Sequence, residues 1–196
     1  GRREARGPEA SAVAVRLNKL ISQTQSLEEV LRLVEVHGDG FNFVNAATAM
    51  HRLGQQAKQG RRERSLSRTK VRRLLHQSRQ YEQLQERVGA LLPQMSPREL
   101  SNVLWAYGAL GLAPEEGLMQ ELERQVVASI GRFSPLDLAN TAHAFAELGR
   151  AVAPATTEAL KAQSLEVLQS YRPESLAILL RAFACLGLRR DDWTMQ

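Results

Sequence analysis

Ser96-Pro-Arg-Glu-Leu-Ser-Asn-Val-Leu-Trp-Ala-Tyr-Gly-Ala-Leu-Gly111 returns, altered but recognisable, as Ser134-Pro-Leu-Asp-Leu-Ala-Asn-Thr-Ala-His-Ala-Phe-Ala-Glu-Leu-Gly149. A third copy runs Arg172-Pro-Glu-Ser-Leu-Ala-Ile-Leu-Leu-Arg-Ala-Phe-Ala-Cys-Leu-Gly187, and successive copies lie 38 residues apart. A fixed period of that size is the signature of a repeat array. Each copy reads as a helix. Ser96 and Ser134 sit where a cap is needed, Pro97, Pro135 and Pro173 suit a first turn, and Glu99 or Asp137 stands three residues after its serine. Met95, Phe133 and Tyr171 precede the caps, where a hydrophobic staple places an apolar group. Leu100, Val103, Leu104, Tyr107 and Leu110 follow the 3–4 spacing of one buried face, and Gly111, Gly149 and Gly187 supply the positive φ that stops the helix.

Outward from these copies, residues 81–92, 118–130 and 157–168 carry their own aligned apolar positions (Leu84, Leu122 and Leu160; Leu92, Ile130 and Leu168). Each unit is therefore a pair of helices that buries its apolar sides only by stacking on neighbours. Small residues at 101, 139 and 177, and at 106, 144 and 182, permit close helix approach. A weaker copy at Phe41–Gly54 aligns Gly54 with Gly111, 57 residues on, as though one period were lengthened by 19. Its partner helix begins at Ser26 with Glu29 and runs through Leu27, Val30, Leu31 and Val34 to His37-Gly-Asp-Gly40. Before it, Ala12–Gln23 forms a short helix with an apolar face at Val13, Leu17 and Leu20, and Gly1–Ala10 reads as a flexible lead. The predicted fold is all-α: a short α-solenoid of tandem 38-residue helix–turn–helix repeats with a basic insertion. Its parts are an N-terminal extension and short helix (1–25), a first helical pair (26–54), the insertion (55–77), three tandem pairs (78–187) and a tail or cap (188–196), in which Trp193 covers an apolar edge or docks on a partner.

The insertion carries Lys58, Arg61, Arg62, Arg64, Arg68, Lys70, Arg72 and Arg73, opposed only by Glu63. The whole chain holds 26 Lys and Arg against 21 Asp and Glu, a net charge of +5, so the location of the excess says more than its size. These residues read as a phosphate-contacting arm, whose binding salt would weaken, as a mobile, solvated extension, or as a charge patch answering an acidic protein. Val71, Leu74 and Leu75 bring the insertion's end back into helix. The single cysteine, Cys185, excludes an intrachain disulfide and is expected to be a small buried thiol. No apolar run is long enough for a membrane span. Glu4 and Glu9 weaken a transit-peptide reading of the Arg-rich start, and a first residue of Gly suits a processed or incomplete N-terminus.

The 38-residue period and the pattern Ser-Pro-x-x-Leu-x-Asn-x-Leu-Trp-Ala-Tyr-x-x-Leu-Gly at 96–111 resemble the octotricopeptide-repeat family of organellar RNA-binding proteins. The likeness extends in phase to 134–149, and more loosely to 172–187 and 41–54. What the resemblance implies is an α-solenoid that binds RNA in mitochondria or chloroplasts; the residues themselves offer no pattern for catalysis, a cofactor or a metal. A short array with a charged extension looks most like a subunit of an organellar ribonucleoprotein such as a mitochondrial ribosome, contacting rRNA and neighbouring subunits. The alternatives are a protein-interaction scaffold and a free-standing factor that processes or stabilises an organellar transcript.

Within the units, Trp105, His143 and Arg181 occupy one position that varies while its buried neighbours stay alike. Each of the three can stack on a base or meet a phosphate. Against that, Trp105 reads first as a packed interhelical aromatic, and His143 reads also as a neutral surface residue. Asn102 and Asn140, replaced by Ile178 in the third copy, are expected to satisfy a nearby loop or helix polar group. The four histidines, His37, His51, His76 and His143, stand in no metal-ligand or nucleophile–base pattern, so no catalytic constellation emerges.

Overall fold

The structure, a computed structural model, describes residues 8–188, with side chains from residue 12 onwards. The lead before residue 8 and the tail with Trp193 lie outside the described residues. Among these residues all regular structure is helical: α1 (Pro8–Gln23), α2 (Leu27–His37), α3 (Phe43–Arg62), α4 (Arg68–His76), α5 (Arg79–Leu91), α6 (Pro97–Leu110), α7 (Glu116–Ser129), α8 (Pro135–Leu148), α9 (Pro154–Glu166) and α10 (Pro173–Cys185). No described helix is long and apolar enough to cross a membrane.

Local chemistry sets the helix limits. Ser96 with Glu99, and Ser134 with Asp137, form reciprocal capping boxes, and each is followed by proline in the first turn. Gly111, Gly149 and Gly187 adopt φ of 67°, 62° and 77°, a region that costs residues with a Cβ about a kcal/mol. Met95 and Phe133 are buried just before their caps. The second helices then stack as one row, α3 on α6, α6 on α8 and α8 on α10. Beside it run the first helices, α2 against α5 and α7 against α9. Their shared core includes Leu84, Leu100, Leu104, Tyr107, Leu122, Leu138, Phe145 and Phe183. The result is a solenoid-like stack in which helix pairs pack on their neighbours.

Small residues fix how closely the row packs. A Cβ on Gly54 would lie 3.0 Å from Ala106 Cα, and one on Gly108 would lie 3.0 Å from Ala144 Cα. Backbones therefore touch where α3 crosses α6 and where α6 crosses α8. Ser101 adds a hydrogen bond from its hydroxyl to the Asp137 carbonyl, 3.3 Å. Between α7 and α9, the buried Glu123 carboxylate accepts from the Ala153 N–H at 2.9 Å and the Thr156 hydroxyl at 3.2 Å. It thus caps α9, whose own N-cap residue, Ala153, has no side-chain acceptor.

Five expectations change. Gly54 does not end its helix: α3 continues to Arg62, so Lys58, Arg61 and Arg62 are helical. The first copy's register also shifts. Asn42 caps α3 with Asn45 at the third position, matching Ser96 and Glu99, so these starts lie 54 rather than 57 residues apart. Gly54 then corresponds to the crossing glycine Gly108, not to the stop Gly111. In α1 the buried face is Leu17 and Ile21, whereas Val13 and Leu20 are exposed; contact with α3 selects that face, with Asn45 donating to the Ala14 carbonyl at 2.9 Å. Cys185 is exposed at the end of α10, on the wall of an open hollow that it shares with Phe145, Gly149 and Thr157. Finally, Asn102 and Asn140 make no side-chain hydrogen bond among the described residues; both are half-buried, one turn before Trp105 and His143.

Candidate nucleic-acid interface

The site begins at the crossing of α3 and α6. The missing Cβ of Gly54 leaves room for the Trp105 indole, whose Cζ3 would stand 3.0 Å from it. The indole consequently meets the His51 ring, with centroids 4.7 Å apart and planes tilted by 50°. Lys58, two turns along α3 from His51, places Nζ 5.5 Å from the indole centroid, within cation–π range. Trp105 is both an interhelical aromatic and half exposed, so the two readings of it coexist.

The corrected register gives the row a fourth member. His51 occupies in α3 the place of Trp105 in α6, His143 in α8 and Arg181 in α10. Sequence comparison missed it by aligning stop glycines rather than caps; Asn42 followed by Asn45 was the usable signal.

A cleft of about 210 Å³ opens beside this row, lined by Lys58, Arg61, Trp105, His143, Glu147 and Arg181 together with Gly108, Ala109 and Ala144. Five expected site residues thus come together: Lys58, Arg61, Trp105, His143 and Arg181. A wider hollow of about 680 Å³ shares Lys58 and Trp105 with it and adds Arg52, Arg62 and the side-chain amides of Gln55, Gln56 and Gln59. Arg68 is joined to Glu147 at 3.1 Å, which draws the start of α4 to the cleft's edge. Arg64, Lys70, Arg72 and Arg73 are exposed and line neither hollow. On α4 the buried positions are Val71 and Leu75, which turns Lys70, Arg72 and Arg73 to solvent.

Charge in the cleft is unbalanced. Arg61 Nη2 donates to the Ala109 carbonyl at 2.8 Å, whereas its buried Nη1 has no partner among the described residues. Burial pulls Arg61 below the usual guanidinium range, Arg68 adds to this, and Glu147 opposes it. For His143, burial lowers the pKa first; Glu147 raises it, and Lys58 and Arg181 lower it further. His51 is lowered by burial and then by Arg52 and Arg98. Both shifts favour the neutral imidazole, a flat ring rather than a charge. Such an arrangement can hold an anion beside a planar group. Among the described residues no group of His, Cys, Asp or Glu could hold a metal ion.

Stacked helix pairs that present one variable row over a cationic cleft define a helical-repeat domain. The chain belongs to the family described as Tbc2 translation factor, N-terminal domain, which matches residues 33–195. That family is one of a translation factor rather than of an enzyme. No curated protein matches the chain.

Proposed function

We propose that this domain binds single-stranded RNA through the cleft between α3, α6 and α8, as part of an organellar factor acting on a transcript's translation. The observation that supports this best is the in-register row His51, Trp105, His143 and Arg181 beneath Lys58 and Arg61, which combines stacking surfaces with phosphate-seeking cations. The family match favours such a transcript-acting factor over a fixed ribosomal subunit, and the plastid over the mitochondrion. In this reading the repeats keep a 38-residue period from Ser96 onwards. The end of α3 together with α4 is the insertion between the first and second units, and Arg64, Lys70, Arg72 and Arg73 are outer contacts for longer RNA.

The test is anisotropy of a labelled single-stranded RNA 20-mer across a series of potassium chloride concentrations. Binding is expected to weaken with salt. Lys58→Ala and Arg181→Ala should each flatten the slope of log K against log salt by about 0.7. Absence of binding at low salt, with a protein partner retained after ribonuclease treatment, would reject RNA in favour of a protein scaffold.

A further inference from the structure

Glu147 is the one carboxylate among the residues lining the cleft, against Lys58, Arg61 and Arg181. It is engaged with a fourth cation, Arg68, which approaches from α4 at 3.1 Å. The two side chains are 32% and 52% exposed, so water and a ligand can reach the pair. Arg61 stands close enough to Arg68 and Glu147 to feel both, and it already holds one buried guanidinium nitrogen without a partner among the described residues. The Arg68 guanidinium also lies over Gly111, the left-handed residue that closes α6. Two guanidinium groups therefore face one carboxylate, with donors to spare.

We propose that Glu147 holds the seat of a phosphate: a phosphodiester displaces the carboxylate from Arg68 and is then gripped by Arg61 and Arg68 together. This rests on the RNA reading and names its phosphate subsite. Displacement is cheap because an exposed ion pair is weak in water and weaker in salt. The incoming group carries the same charge and more acceptor oxygens, which suits the forked donors of two arginines. In the free protein the carboxylate serves a purpose, since at Arg61 it opposes the like charge of Arg68. The exchange also ties α4 to occupancy of the cleft, because Arg68 is the first residue of that helix.

The discriminating variant is Glu147→Gln, measured by the same RNA titration and accompanied by circular dichroism melting to confirm the fold. With the internal competitor gone and Arg68 released, affinity should rise roughly threefold to tenfold, and the salt slope should steepen by up to about 0.7, because no displaced carboxylate remains to take up a cation as the phosphate enters. A general loss of negative charge would also tighten binding, so the variant is repeated in an Arg68→Gln background, where the gain should vanish. In a second arm inorganic pyrophosphate is titrated into the protein alone while the arginine Nε–H resonances of Arg61 and Arg68 are followed by NMR. Both should shift, and at lower ligand concentration in Glu147→Gln. Unchanged affinity and slope in Glu147→Gln, with wild type binding RNA normally, overturns the seat and leaves the RNA reading intact. Movement of Arg61 and Arg68 with pyrophosphate, in a protein that binds no RNA, upholds an anion seat and removes RNA as its occupant.

Discussion

Gly54→Ala tests the packing on which the cleft depends. In an exposed helix interior the change would stabilise by about 1 kcal/mol, because glycine loses more backbone freedom on folding. Here the new methyl would stand 3.0 Å from Ala106 Cα, 3.0 Å from Trp105 Cζ3 and 3.3 Å from Ala109 Cβ. None of these is the loose end of a flexible chain: one is backbone, one belongs to a rigid indole, and one is a methyl fixed to the helix. Restoring ordinary contact requires α3 and α6 to part by roughly half an ångström, which places the change in the upper part of the 1–3 kcal/mol range for overpacked cores. The net expectation is a loss of about 1–2 kcal/mol, or about 2–8 °C in Tm for a chain of this size. Gly89→Ala in α5 is the internal control. Its methyl would meet only Leu118 Cδ1 at an ordinary 3.5 Å, so Tm should rise by about 2–4 °C. Both are measured by thermal melting, with tryptophan emission followed in Gly54→Ala because the His51–Trp105 contact should open. A Gly54→Ala melting point at or above wild type would refute the tight crossing, and with it the seat proposed for the indole.

Three further outcomes follow from buried polar groups. Tyr107 and Tyr81 are buried with hydroxyls that have no hydrogen-bond partner among the described residues, and burial pushes both phenols up from their ordinary range. Tyr107→Phe, matching Phe145 and Phe183 in its column, should stabilise by up to about 1–2 kcal/mol in urea unfolding, and a loss of stability would argue for an unseen partner. Glu123→Ala removes the cap of α9 and leaves the Ala153 N–H and the Thr156 hydroxyl without that acceptor, so about 1–3 kcal/mol should be lost in the same assay. His51 and His143 have pKa values lowered from 6.5, so the unfolded chain takes up protons there first. Their contribution to stability is complete above about pH 6.5 and fades as pH falls through that value towards the lowered ones. Tm should accordingly fall between pH 7.5 and 5.5, and less so in a His51→Gln/His143→Gln double variant; an identical fall would place the titration elsewhere.

What the sequence determined alone was everything set within one helical turn or one period. Ser96 with Glu99 and Ser134 with Asp137 specify starts, Gly111, Gly149 and Gly187 specify stops, and the aromatic column Tyr107, Phe145 and Phe183 specifies the buried face. These are short-range requirements of backbone satisfaction and helical spacing, and they repeat visibly. What only the tertiary structure decided was which glycine stops a helix and which lets two helices touch. A helical Gly54 and a left-handed Gly111 are the same letter, and only the approach of Ala106 and Trp105 separates them. That distinction moved the first unit's register by three residues and placed His51 beside Trp105. It also selected, from eight basic residues near one another in sequence, the two that line the narrow cleft, Lys58 and Arg61, and left Lys70, Arg72 and Arg73 facing water. Charge along a chain fixes how much cation is available; only packing across helices fixes which of it converges.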